Sequence, residues 1–381
     1  MMSVDQGGDT RMPALDGLRG LAILAVLYHT FSELEAMTFP GKEIKLALDL
    51  GWIGVQLFFV LSGFLITGIL LDSQRTEGYL RNFFARRALR IFPLYYAVLV
   101  AAFLILPRLS PAVAVWKSSY PHELWLWGYL ANWVQAGWPV TRPFGHFWSL
   151  CVEEQFYLLW PLLLYRMRPA RVLQVCALLL VAAPVIRALM LVRGADPEAI
   201  YMITVCRMDA LAAGALGAAL LRLPGRAQWC VRLWPRAAAL SVFTLLVGVP
   251  FTHVYARLNP VTQIFGYSVF ALSFGVLVLG ASLAPKKAGG GWSVLRAPVL
   301  GSIGRYSYAM YIFGPILHKT IGPTLLAPVF ARTAQEALPA LIYCSAMVLL
   351  SYGCGWLSYR IYERHFLARK SRFTSAHLRS S

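Results

Sequence analysis

Ile53-Gly54-Val55-Gln56-Leu57-Phe58-Phe59-Val60-Leu61-Ser62-Gly63-Phe64-Leu65-Ile66-Thr67-Gly68-Ile69-Leu70-Leu71 is a run without a single charged side chain. An α-helix rises about 1.5 Å per residue, so a run of about this length covers the ~30 Å hydrocarbon core of a bilayer. It reads as a transmembrane helix, and similar spans recur on both sides of it. Their approximate limits are 15–35, 50–71, 91–107, 147–165, 172–192, 203–221, 237–254, 261–283, 303–320 and 338–360. The expected fold class is therefore all-α: a polytopic membrane helical bundle of about ten transmembrane helices. Leu124–Val134 is too short to cross. Its Trp and Tyr content marks it as an interfacial or re-entrant piece, because those rings favour the headgroup level.

Composition agrees. The chain has 381 residues, 58% hydrophobic and 14% charged, where a soluble domain is about one quarter charged. Mean hydropathy is +0.60. The net charge of +18, from 35 Lys+Arg against 17 Asp+Glu, would suggest nucleic acid if it lay on a soluble face. Here the basic residues sit in short gaps between apolar spans, so the expected partner is the lipid bilayer and no nucleic acid. With the N-terminus inside, the inner gaps hold 24 Lys+Arg and the outer gaps 10. The asymmetry predicts both termini on the cytoplasmic side, as in a bacterial inner membrane.

The expected organisation is a cytoplasmic segment (1–14), a membrane domain (15–360) and a basic cytoplasmic tail (361–381). The first apolar run carries Arg19 and His29 and has no small-residue cleavage pattern, so no cleavable signal peptide is expected. Cysteines fall at 151, 176, 206, 230, 344 and 354 without CxxC spacing, which suits apolar packing rather than a disulfide framework or a metal site. No internal repeat argues for a transporter built from two halves.

Ionisable residues inside a span cost roughly 2.5–3.5 kcal/mol on insertion scales, so they face a cavity or a partner. His29 lies late in the first span, Glu153 and Glu154 early in the fourth, and Arg207 and Asp209 at the head of the sixth. Arg207 and Asp209 are two apart and point to different sides of a helix. Arg86, Arg87 and Arg90 are denser than topology requires. Positions i, i+3 and i, i+4 share a helical face, and two guanidiniums on one face suit a phosphate. Topology alone, or contact with anionic lipid, is the competing reading.

These residues fall within six blocks that resemble the acyltransferase-3 family of integral membrane proteins. The blocks are Asp16-Gly17-Leu18-Arg19-Gly20 followed by His29; Gly54 to Ile66; Arg86-Arg87-Ala88-Leu89-Arg90-Ile91-Phe92-Pro93; Phe147 to Tyr157, which includes Trp148; Arg207-Met208-Asp209-Ala210-Leu211; and Tyr306-Ser307-Tyr308-Ala309-Met310-Tyr311. They run in family order over nearly the whole chain. The resemblance implies about ten helices and an O-acyltransferase that moves an acyl group, often acetyl, from cytoplasmic acyl-CoA to a hydroxyl of a sugar, glycan or secondary metabolite. It is similar to the stand-alone form, without the esterase-like domain that some relatives carry. Acyl-CoA would be a co-substrate, with no permanently bound cofactor and no metal. Three departures are visible. Nine residues, Gly20–Tyr28, separate Arg19 from His29 where the family has ten. Gln56 stands where the family often has Asp. The histidine after the Tyr306 block is replaced, and the nearest is His318.

The expected chemistry follows. A thioester is already activated, so the protein must place a hydroxyl, take its proton and stabilise the oxyanion. His29 is the expected general base, with Glu153 or Glu154 orienting it or the acceptor; a covalent acyl-His is the alternative. Arg86, Arg87, Arg90 and Arg19 are the expected CoA-phosphate ligands. Asp16, Ser62, Trp148, Arg207, Asp209 and Tyr308 are expected around the substrate cavity, although close helix packing is the competing role for Ser62 and Gly63. Trp125, Trp127, Trp133 and Trp138 suit either a sugar or the membrane interface. A glycan or lipid flippase, or a non-catalytic scaffold, would share the helices but leave the six blocks unexplained.

Overall fold

A computed structural model describes residues 12–35, 40–109, 123–134, 144–285 and 289–373. Among the described residues every regular element is helical. The long helices are α1 (Pro13–Phe31), α2 (Ile53–Ser73), α3 (Tyr79–Leu99), α4 (Trp148–Leu164), α5 (Pro169–Val192), α6 (Met208–Leu220), α7 (Arg226–Gly248), α8 (Tyr267–Leu283), α9 (Pro298–Thr320) and α10 (Ala337–Ser358). They fall on the ten expected spans. Among the described residues seven helical segments are long and apolar enough to cross a membrane: those containing α1, α2, α3, α5, α7, α8 and α10. The chain is an all-α polytopic membrane protein.

Several boundaries differ from the sequence reading for one reason. Hydropathy marks only the apolar part of a helix, while the backbone continues through basic residues. Thus α3 begins at Tyr79, so Arg81, Arg86, Arg87 and Arg90 lie on a helix and not in a loop before one. Helix α7 begins at Arg226. Beyond α10 the backbone stays helical to Phe373 and packs back on α3. The start of the expected basic tail is therefore part of the bundle. Arg187, counted above with the outer charges, lies within α5 and is fully buried.

Helix α1 packs between α9 and α2, and α2 packs against α6. Glycines set these crossings. A Cβ on Gly63 would lie 1.9 Å from the Leu211 carbonyl oxygen, and one on Gly214 1.9 Å from that of Val60. In lipid, where the hydrophobic drive between helices is small, such close approach is how helices associate. Gly17 and Gly20 play the same part against Leu295 and Leu300. The peripheral helices turn apolar side chains outward, including Leu158, Leu162, Leu240 and Phe243.

Candidate active site

Helices α1, α2, α3, α4 and α9 bring a set of polar side chains together. Ser62 donates its hydroxyl hydrogen bond to Oε1 of Glu153, and its oxygen lies 2.9 Å from the Tyr157 hydroxyl. Glu153 lies within electrostatic reach of Arg19, Arg87 and Arg90. The Arg87 guanidinium sits 5.6 Å from the Tyr157 ring centroid. Glu154 lies within reach of Arg87 and Tyr308, and the Tyr308 hydroxyl donates to the Ile91 carbonyl at 2.8 Å. Arg19 has one carboxylate contact, 3.8 Å to Asp16. Arg87 and Arg90 make no hydrogen bond or ion pair with any described residue. Arg86, next to Arg87 in the chain, lies about 100° further round α3.

The arrangement follows from local folding. Gly20 presses one side of α1 onto α9, and Gly17 presses it onto the short helix Gly291–Leu295. Tyr157, one turn beyond Glu153 on α4, brings its hydroxyl to the same serine; it stood in the family-like block but was not singled out. Gln155, the third residue of the Glu-Glu-Gln run, does different work. Its amide nitrogen donates to the Tyr129 carbonyl at 2.8 Å and to Asn132 Oδ1 at 2.9 Å. It thereby anchors the two short helices Leu124–Trp127 and Ala131–Val134 into the bundle. Tyr129 stacks on Tyr95 at 4.2 Å, while Trp125 and Trp133 stay exposed. Trp138 lies outside the described residues.

His29 lies elsewhere. It shares one continuous helix with Arg19, ten residues on, which places it about 15 Å further along the axis and about 80° round it. Its Nδ1 is 3.2 Å from the Leu48 carbonyl oxygen. Among the described residues no hydrogen bond joins it to Glu153 or Glu154. The carbonyl of Leu48, not a glutamate, fixes the ring. Because a carbonyl only accepts, Nδ1 carries the proton and Nε2 keeps its lone pair. Lys45, Asp49 and Arg257 surround it electrostatically.

Arg207 and Asp209 do point apart, as their spacing requires. Arg207 is fully buried and caged by the rings of Tyr267 at 4.4 Å, Tyr201 at 4.9 Å, Phe59 at 5.7 Å and Trp148 at 5.8 Å. It donates to Gln56 Oε1, and Gln56 donates to the Tyr267 carbonyl at 2.8 Å. Asp209 is paired with Arg187 at 2.8 Å and also accepts from Ser268 at 2.7 Å. The signal for Arg187 was its place inside an apolar span. His318 spans Tyr343, 2.9 Å from Nδ1, and Glu33, 3.3 Å from Nε2.

A helical membrane bundle that gathers arginines and two carboxylates between its helices defines a class: polytopic membrane proteins with a polar interior cluster. The comparison with known families gives the family. A family model described as an acyltransferase domain, of the acyltransferase-3 family, matches residues 12–357, and the chain belongs to that family. It is similar to "Peptidoglycan O-acetyltransferase OatA" of Listeria monocytogenes, 27% identical over 373 residues, covering 92% of this chain and 55% of that protein. It is also similar to "Putative peptidoglycan O-acetyltransferase YrhL" of Bacillus subtilis, 32% identical over 232 residues, covering 53% and 32%. "O-acetyltransferase OatA" of Staphylococcus aureus (strain NCTC 8325) is 30% identical over 222 residues, covering 54% and 34%. The chain spans about half or less of the length of these relatives. No solved structure matches it.

Proposed function

We propose that this chain is a membrane O-acyltransferase that moves an acyl group, acetyl first among them, from acyl-CoA to a hydroxyl of a glycan or glycosylated metabolite. The observation that carries the reading is the polar cluster: Arg87 and Arg90, with no hydrogen bond or ion pair to any described residue, beside Arg19, Glu153 and Glu154. Half-buried guanidiniums without an ion pair suit anionic ligands, phosphates above all. CoA supplies them with its pyrophosphate and 3′-phosphate. The names of the relatives support acetyl as the group and a cell-wall glycan as the acceptor class.

In this reading the phosphates sit at Arg19, Arg87 and Arg90, and the pantetheine arm runs between the helices toward His29. The acceptor hydroxyl approaches from the His29 end. Nε2 takes the hydroxyl proton as the oxygen attacks the acyl carbon, and returns it to the departing CoA sulfur. The arginine end is then cytoplasmic, in keeping with the charge asymmetry. Moving Arg187 from the outer tally to a buried pair strengthens that asymmetry. The membrane would be a bacterial inner membrane with both termini inside.

The test uses the full chain purified in detergent, supplied with acetyl-CoA and a soluble glycan, with CoA release as readout. A His29→Ala variant should lose about 10²–10⁴-fold in turnover, the usual share of a general base. Arg87→Ala and Arg90→Ala should raise KM for acetyl-CoA with turnover at saturation retained. Full turnover in a folded His29→Ala protein removes His29 from the reaction, and an inert wild type removes the acyl-CoA donor.

A further inference from the structure

Ser62 does not bond back to its own helix as several serines of this bundle do. Ser73, Ser241 and Ser351 each turn back on their own helix and donate to the carbonyl four residues earlier, at 2.7, 2.9 and 2.7 Å. Ser62 instead reaches across to Glu153 on α4, with the Tyr157 hydroxyl on its other side. Its neighbours Leu61 and Gly63 are buried, whereas Ser62 and Glu153 keep partial access. Ser62 and Glu153 are therefore open to a ligand, with the buried Tyr157 hydroxyl behind them. The group combines a carboxylate that accepts with two hydroxyls that can donate or accept. A secondary amide requires that pair of functions, one acceptor for its N–H and one donor for its carbonyl.

Its place beside the arginines gives the amide a source. Glu153 is within electrostatic reach of Arg19, Arg87 and Arg90, and His29 is about 15 Å beyond Arg19 on α1. The group thus sits at the arginine end of α1, so an arm that leaves phosphates held there for a thioester at His29 starts beside it. One turn further back along α4, the hydroxyls of Ser149 and Tyr311 form a second polar pair at 2.5 Å.

We propose that Ser62, Glu153 and Tyr157 form an amide-binding station for the pantetheine arm of the acyl donor. The inference rests on the acyl-CoA reading above. Glu153 accepts from an amide N–H of the arm, and a hydroxyl of Ser62 or Tyr157 donates to an amide carbonyl. These are positioning contacts, and no bond forms or breaks at them. They keep the arm extended through apolar surroundings, where an unsatisfied amide would be costly.

Three acetyl thioesters separate the contributions: acetyl-CoA, S-acetylpantetheine, which lacks the phosphates, and S-ethyl thioacetate, which lacks the amides. Thiol release by the purified full chain gives KM and kcat for each. Ser62→Ala and Glu153→Gln should raise KM about fivefold or more for the first two donors and leave S-ethyl thioacetate within about twofold. Arg87→Ala should raise KM for acetyl-CoA alone. A loss in Ser62→Ala that is equal for all three donors overturns the proposal and assigns the serine to the chemical step; no loss with any donor overturns it as well. A wild type inert toward every donor removes the acyl-CoA reading and this inference with it, a result distinct from either. Thermal melts check folding, and should Glu153→Gln fail to fold, Ser62→Ala carries the test.

Discussion

Asp209 offers the sharpest division between a structural and a substrate role. Its carboxylate is fully buried and meets Arg187 at 2.8 Å, with Ser268 at 2.7 Å from the same oxygen. Arg187 donates further to the Cys206 carbonyl at 2.5 Å and to that of Ile264 at 3.1 Å. Replacing Asp209 by Ala removes the only carboxylate among the described residues bonded to this guanidinium and leaves a cation buried among α5, α6 and α8. Breaking one half of such a pair costs about 3–5 kcal/mol. In a chain of this size each kcal/mol moves the melting temperature by roughly 1.2 °C, so the variant should melt about 4–6 °C lower in detergent. The double variant Arg187→Met/Asp209→Ala removes the stranded charge and should recover most of that loss, because the two sites are coupled and not additive. Acetyl transfer by the double variant should return with its stability. Were Asp209→Ala to melt like the wild type while losing turnover, the carboxylate would belong to the substrate and the reasoning would fail.

Two further outcomes are expected. Gly63→Val places atoms where even a Cβ would be 1.9 Å from the Leu211 carbonyl oxygen, so α2 and α6 must part and folded yield should collapse; Gly353→Ala meets nothing within 4 Å on α10 and should gain roughly 0.5–1 kcal/mol, both read by size-exclusion yield and melting. The hydrogen bond from His318 holds the Glu33 carboxyl below its ordinary value of 4.5. A depressed carboxyl stabilises the fold fully above its unfolded value, and the gain disappears as pH falls through the folded value. Wild type should therefore outlast Glu33→Gln near neutral pH, with the gap closing below about pH 4.5; a gap that persists at about pH 3 would rule out this pair as its source.

The six family-like blocks turn out to serve unlike ends, which a linear reading does not separate. In Asp16-Gly17-Leu18-Arg19-Gly20 the glycines seat α1 on α9 and on the short helix before it, while Arg19 lies near Glu153. In Glu153-Glu154-Gln155 one residue holds Ser62, one faces Arg87 and Tyr308, and one pins the Leu124–Val134 piece. Ser62 was open to a packing role by its place beside Gly63. Gly63 does pack against α6, and Ser62, about 100° round the helix, points into polar space. The departure at Gln56 also acquires a meaning: a neutral amide bridges Arg207 and the Tyr267 carbonyl.

The sequence by itself determined the membrane class, the ten helical spans and the presence of ionisable groups inside them. Hydrophobic length and charge spacing are local properties, and the bilayer converts them directly into helices. Which ionisable groups meet was decided only by the tertiary structure. Arg19 and His29 belong to one motif, yet a continuous helix holds them about 15 Å apart. Arg187 lies outside every block and Asp209 within one, yet helix packing places them in contact. Partnership across a bundle depends on crossing depth and rotation, and those are set by the glycines at the crossings acting together.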